Sequence, residues 1–219
     1  MARMARVYLP NTAQLVMVRG INQAHVFHSQ KDVEHWQAIM RSIVPSHGVA
    51  VHAFAQLDHA VYLLVSAEHD KALGKLMQDL GRRYVHHINS TQNRTGTLWE
   101  GRYRTAYLQD THILNAYTWL DTLSHNSSRA HHEGVNALSF ISEHEQYWLT
   151  GNTPFDRQSQ HRQRCAQGIS TKTSAAFAQA VFTGWALGDA EFLARANLTS
   201  GQRVTKAARG RPRKVVEPT

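Results

Sequence analysis

The chain has 219 residues, 42% of them hydrophobic, with 24 Lys and Arg against 16 Asp and Glu. That length suits one domain of ordinary size with an appendage, large enough to bury a real core. No apolar run approaches the ~18 residues of a membrane helix, and MARMARVYLP lacks the apolar stretch of a secretory signal. The sequence therefore reads as that of a cytoplasmic protein with no membrane partner. Its one cysteine, Cys165, excludes an internal disulfide and a cysteine-rich zinc site. A surplus of +8 favours a polyanionic partner, nucleic acid first, over a merely solubilising surface. The fifteen histidines run from His25 to His161 and read as scattered surface residues.

In chain order, Val7–Arg19 mixes β-branched and aromatic residues before Gly20 and predicts a strand entering a turn. Ser29-Gln-Lys-Asp32 resembles a capping box. Behind it Val33, Trp36, Met40, Ile43 and Val44 recur at helical spacing, so a helix is expected over about 31–44, ended by Pro45 and Gly48. Two strands follow, Val49–Gln56 and Ala60–Ser66, joined near Leu57-Asp58-His59. In the second, Ala60, Tyr62 and Leu64 share one face while Val61, Leu63 and Val65 share the other.

A second helix is expected from about Asp70 to Asn89, with a stripe of Leu73, Leu76, Met77, Leu80, Tyr84 and Ile88. A Gly/Arg/aromatic loop and strand then cover Asn93–Leu108, and a third helix about Thr111–Ser124. His125–Gly134 is polar and aperiodic, and 152–175 is rich in Gln, Arg, Ser and Thr, which reads as a linker. A small helical element is expected at about 174–196, and Ser200–Thr219 reads as a disordered basic tail. The order strand, helix, strand, strand, helix, strand, helix predicts an α+β fold. More closely, it is that of a ferredoxin-like sandwich with an antiparallel sheet, one face covered by helices and the other open to a ligand.

Several segments carry a family resemblance. They are Met1-Ala-Arg…Pro10, Val18-Arg19-Gly20-Ile-Asn22, Val51-His52-Ala53-Phe54, Leu80-Gly-Arg-Arg-Tyr-Val85…Ile88-Asn89 and, most strongly, Arg94-Thr-Gly-Thr-Leu-Trp-Glu-Gly-Arg-Tyr-Arg104. Gly184-Trp-Ala-Leu-Gly-Asp189…Phe192 and Arg209-Gly-Arg-Pro-Arg-Lys214 add a matching C-terminal pair. Over nearly its whole length the chain resembles the REP-associated tyrosine transposases, a branch of the single-tyrosine HUH transposases of bacterial insertion sequences. The resemblance implies a transposase-like domain over 1–150, a linker and small helical appendage over 151–199, and an AT-hook-like tail over 200–219. It also implies binding of hairpin or single-stranded repeat DNA by a monomer or homodimer, with a nucleoid-associated location. In that family a tyrosine attacks a phosphodiester, giving a 5′-phosphotyrosine, while Mg²⁺ or Mn²⁺ polarises the phosphate. The ion is held by two histidines flanking one apolar residue and by a polar side chain one helical turn after the tyrosine.

This sequence departs from that pattern at four positions. The two histidine positions hold Ala60 and Tyr62, the nucleophile's position holds Trp119, and the third ligand's position holds Leu123. Alanine offers no donor atom, a neutral phenol is a poor ligand for Mg²⁺, and an indole forms no phosphoester. No catalytic site is therefore intact, and neither a metal nor a cofactor is expected. The alternative is an active transposase with displaced groups, His59 as ligand and Tyr117 as nucleophile, using Mg²⁺ or Mn²⁺. His59 lies one residue out of register on its strand, and Tyr117 lies ~200° around a helix from position 119. A decaying gene whose product still folds is a third reading.

Binding can outlast catalysis. Arg94, Arg102 and Arg104 surround Trp99 and Tyr103, a pattern in which guanidinium groups meet phosphates and aromatic faces stack on unpaired bases. The same aromatics could equally be core residues. Arg82 and Arg83 lie on the polar side of the second helix, where a solvated face competes with a DNA contact. Arg19 and Asn22 match the family's Arg-Gly-x-Asn, with a turn-stabilising role as the rival. Arg209-Gly-Arg211-Pro212 suits a narrow A·T-rich minor groove. The sequence thus reads as that of a transposase-like DNA-binding protein without strand cleavage.

Overall fold

The computed structural model describes residues 7–206. Four strands, β1 (Gln14–Arg19), β2 (Val49–Leu57), β3 (Ala60–Ala67) and β4 (Arg104–Tyr107), form one sheet in the order β2-β3-β1-β4. All three neighbouring pairs are antiparallel. Helices α1 (Gln30–Ile43), α2 (Ala72–Thr91) and α3 (Ile113–Leu123) fall between and after the strands as expected. The expected α+β sandwich is what forms. Five further helices follow: α4 (Arg129–His132), α5 (Glu145–Trp148), α6 (Pro154–Gln167), α7 (Thr171–Thr183) and α8 (Ala190–Ser200).

Strand periodicity divides the core. Val16, Val18, Val61, Leu63 and Val65 face α1 and α2, where they meet Trp36, Met40, Leu76, Leu80 and Tyr84. Their neighbours Leu15, Met17, Tyr62 and Leu64 face the other way. That second face is not open. Ile113, Ala116 and Leu120 of α3 and Phe177 and Val181 of α7 pack against it, which corrects the expectation of a free ligand-binding face. A continuous apolar run such as Leu15-Val-Met-Val18 suits a strand covered on both sides, whereas a strand with one wet face alternates.

Other expectations need correction. The stretch 152–175 is no linker, because Thr153 begins α6 with a complete capping box: its side chain accepts from Asp156 N–H while Asp156 accepts from Thr153 N–H. The predicted box at Ser29 is incomplete. Asp32 accepts from the backbone N–H of His28, the Ser29 hydroxyl and His87 Nε2, but Ser29 makes no side-chain bond to the helix backbone. Residues 200–206, read as part of the tail, are packed: Val204 is buried, donates to Asn197 Oδ1 and accepts from Ala186 N–H. Arg209 and Arg211 lie outside the described residues. Nor are the histidines all at the surface, since His52, His132 and His161 are buried. No helix among the described residues is long and apolar enough to cross a membrane.

Two local features hold the strand ends. The register of β2 against β3 shifts between Val51 and Ala53, leaving His52 in a bulge. There its Nδ1 lies 2.6 Å from the Ser142 carbonyl and its Nε2 2.8 Å from Ser66 Oγ. A neutral ring meets both by donating at Nδ1 and accepting at Nε2. At the end of β1, Gly20 turns the chain so tightly that an added Cβ would sit 2.3 Å from the Ala24 carbonyl oxygen and 2.8 Å from Val26 Cγ1.

Burial pulls the His52 imidazole down from 6.5 to about 4, helped by His144 and His132 and opposed by the Ser142 bond and Glu143. A depressed folded value means that the unfolded chain takes up the proton first. The stabilisation is complete above pH 6.5 and is lost as the pH falls toward 4. Urea denaturation across that window should register a loss of about 3 kcal/mol, and His52→Gln, which keeps a donor and an acceptor, should flatten the slope. Gly20→Ala should cost about 1–3 kcal/mol by the same assay, because the obstructing atom is backbone.

Candidate nucleic-acid interface

The four positions that the sequence resemblance assigns to catalytic residues, Ala60, Tyr62, Trp119 and Leu123, lie in packed surroundings. Tyr62 projects from β3 toward α3, where its ring lies 5.4 Å from that of Trp119, edge to face. Trp119 is buried, donates its Nε1–H to Ser174 Oγ at 3.1 Å and packs on Phe177 of α7 at 5.4 Å. Ala60 is fully buried opposite Arg19, and Leu123 packs against the same apolar cluster as Tyr62 and Trp119. Burial raises the Tyr62 phenol, with Arg19 opposing. The structure thus brings positions 62 and 119 together, but joins them by ring packing under α7.

The displaced candidates are kept apart. Tyr117 is fully buried, with its hydroxyl accepting the His144 N–H at 2.8 Å and its ring among His132, Tyr147 and His161. Burial raises its phenol well above the ordinary value, with the His144 bond opposing. His59 sits in the β2–β3 turn, where its carbonyl accepts the Gly20 N–H. No hydrogen bond or ring contact joins it to Tyr117.

The segment 94–104 and the turn after β1 form one unit. Ile21 N–H donates to the Leu98 carbonyl, Glu100 N–H donates to the Arg19 carbonyl, and Gly20 bridges Trp99. Leu98 is the buried anchor of this strap. Trp99 is half-buried, stacked on Tyr84 with centroids 6.0 Å apart. Beside it runs a groove of about 370 Å³, lined by Met77, Gln78 and Gly81 of α2 and by Trp99, Arg102 and Tyr103 of the strap. Arg102 also borders a hollow of about 200 Å³ with Met17, Arg19, Glu100 and Arg104. A third hollow, of about 520 Å³, continues along β4 past Arg102, Tyr103 and Arg104 to Phe182 and Arg203.

The arginines expected at this surface divide by what already binds them. Arg19 pairs with Glu100, which raises its guanidinium while burial pulls it the other way, and lies 5.6 Å from the Phe182 ring. Arg104 donates to the Phe182 carbonyl at 2.6 Å and covers that ring at 4.2 Å. Arg94 donates to the Thr97 carbonyl, and Arg83 forks onto Asp79 at 2.9 and 3.3 Å. Arg102 and Arg82 are exposed and make no hydrogen bond. Asn22 is exposed with φ of 52°, a left-handed turn residue beside the strap.

Sequence reading missed three contributors. Phe182 is 47% exposed and forms the apolar plate for Arg19 and Arg104. Gly74 and Gly81 lie seven residues apart on α2, facing Tyr103 and Trp99, and clear the wall of the groove. Two glycines inside a helix, at about 1 kcal/mol each, were a usable signal of a close approach.

No family profile matches the sequence, and no curated protein matches it either. Among solved structures, the chain is similar to a REP-associated tyrosine transposase bound to a REP hairpin, at 10% identity and a TM-score of 0.48, covering 66% of this chain and 99% of that one. It is similar to a candidate transposase from Deinococcus radiodurans R1 at 14% identity and a TM-score of 0.39, covering 56% and 98%. It is also similar to a bacterial tRNA(His) guanylyltransferase (Thg1)-like protein in complex with GTP, at 9% identity and a TM-score of 0.38, covering 52% and 62%.

Proposed function

We propose that this protein binds hairpin or single-stranded repeat DNA through the groove between α2 and the 94–104 strap, and does not cut it. The observation that carries the reading is the lining itself, in which Trp99, Tyr103 and the exposed Arg102 share one groove. Unpaired bases stack on aromatic surfaces with little regard to sequence, while arginines beside them take the phosphates. The net charge of +8 supports a polyanionic ligand. Cleavage is left out because Ala60, Tyr62, Trp119 and Leu123 offer no nucleophile opposite a set of metal ligands, and α7 packs over position 119. On this reading Arg209 and Arg211 of the tail add a contact in an A·T-rich minor groove.

A labelled REP-type hairpin incubated with the protein and Mg²⁺ or Mn²⁺ should shift on a native gel and show no covalent band on a denaturing gel. A covalent band would overturn the non-cleaving part of the reading, and equal affinity for a blunt duplex would overturn the rest. Arg102→Ala should weaken hairpin binding and lower the slope of log affinity against log salt by about 1. Trp99→Ala should cost about 1–3 kcal/mol of affinity for the unpaired strand. Arg83→Ala, which removes a guanidinium already paired with Asp79, should change affinity far less than Arg102→Ala.

A further inference from the structure

Behind α3, on the side away from Trp119, three ligating side chains meet in the core. Asp121 comes from α3, His132 from α4 and His161 from α6, and their ligand atoms all lie within 4.8 Å of one another. Asp121 Oδ2 is 2.6 Å from His132 Nδ1 and 2.9 Å from His161 Nε2. The side chains of Asp121 and His132 are wholly buried, and that of His161 is 2% exposed. Cys165, one helical turn after His161 on α6, places its buried Sγ 3.3 Å from His161 Nε2. From these residues we infer a site for a divalent transition-metal ion of the zinc class, held by Asp121, His132 and His161.

The outer contacts aim the donors inward. Ser128 Oγ donates to Asp121 Oδ1 at 2.5 Å, leaving Oδ2 for the centre. His132 Nε2 donates to the carbonyl of the bulged His52 at 3.0 Å, which turns Nδ1 toward Asp121. Carboxylates and imidazoles that bind metals are oriented in this way by the partners of their second atoms. A lone pair on Nδ1 facing a carboxylate oxygen repels it unless a proton or a metal ion lies between them, and here two nitrogens converge on that one oxygen. His161 Nε2 must also serve Cys165, and one N–H cannot point well at both an oxygen and a sulfur. A divalent ion satisfies the converging atoms of Asp121, His132 and His161 at once.

Donor chemistry narrows the ion. Two imidazoles and a carboxylate are a set for zinc or its tetrahedral substitutes rather than for Mg²⁺. Bonds of ~2.0–2.2 Å to N and O place tetrahedral donors about 3.3 Å apart. The observed 2.6 and 2.9 Å therefore require the donors to open by about 0.7 and 0.4 Å.

Packing supplies a second reason. The buried residues of α6 are Arg157, His161 and Cys165, so no large aliphatic or aromatic side chain of that helix is in the core. Its attachment to α3 is not explained by burial of apolar surface. An ion shared by α3, α4 and α6 would fasten the C-terminal helices to the sheet domain, since metal binding to ligands from separate segments is folding free energy.

The protein as purified, passed over a gel-filtration column with a weak chelator, should carry stoichiometric zinc by mass spectrometry. The metal-stripped protein should take up Co²⁺ with the strong visible bands of a tetrahedral site. Cys165→Ser should keep those bands, and zinc should raise the melting temperature of stripped wild-type protein. Asp121→Asn and His161→Ala should abolish cobalt binding. Their failure to fold would leave the wild-type and Cys165→Ser spectra to decide. Absence of cobalt bands in the folded wild type, with a melting temperature indifferent to zinc, would overturn the site and leave a proton-bonded cluster.

Discussion

Strand β1 is bonded along both edges, to β3 and β4, and covered on both faces. Everything placed around it must meet one of two apolar surfaces. α1 and α2 close one surface with Trp36, Leu76, Leu80 and Tyr84; α3 and α7 close the other with Leu120 and Phe177. Because α7 takes that second surface, the open groove lies at the rim, where the turn after β1 meets the 94–104 strap. The groove lies there because the strap is sewn to the turn by backbone bonds at Ile21 and Glu100.

The same covering packs Tyr62, Trp119 and Leu123 into one apolar cluster. Tyr62 and Trp119 meet as rings, and the indole N–H finds Ser174 on α7, so no polar atom of Trp119 is stranded. On the rim the arginines are shared between structure and solvent. Those bound to Glu100, Phe182, Thr97 and Asp79 shape the surface, and Arg102 remains turned outward among aromatic side chains.

A polar layer runs behind α3. The bulge at His52 gives the carbonyl that receives His132, His132 meets Asp121, and Asp121 meets His161 of α6. Burial alone would raise the Asp121 carboxyl, but the two imidazoles bring it down to about 2. Truncating one member of such a buried ionic set leaves an uncompensated charge, commonly at about 3–5 kcal/mol. The link joins residues 11 and 40 positions apart in the chain, through side chains rather than through apolar packing.

The sequence by itself determined the sheet and the first three helices. Their signals are local: alternation in Ala60–Val65, the stripe from Leu73 to Ile88, and turns at Gly20 and Asp58-His59. It also determined that Ala60, Trp119 and Leu123 carry no metal-ligating side chain, because identity at a position needs no coordinates. The helix at 154–167 escaped detection because its outer surface is polar and its buried side is Arg157, His161 and Cys165, so no apolar stripe marks it. Only the tertiary structure decided that α7 closes the second sheet face, that Phe182 lies under two arginines, and that Asp121, His132 and His161 converge. Each of these depends on segments far apart in the chain, and a pairing between distant side chains leaves no periodicity in either segment.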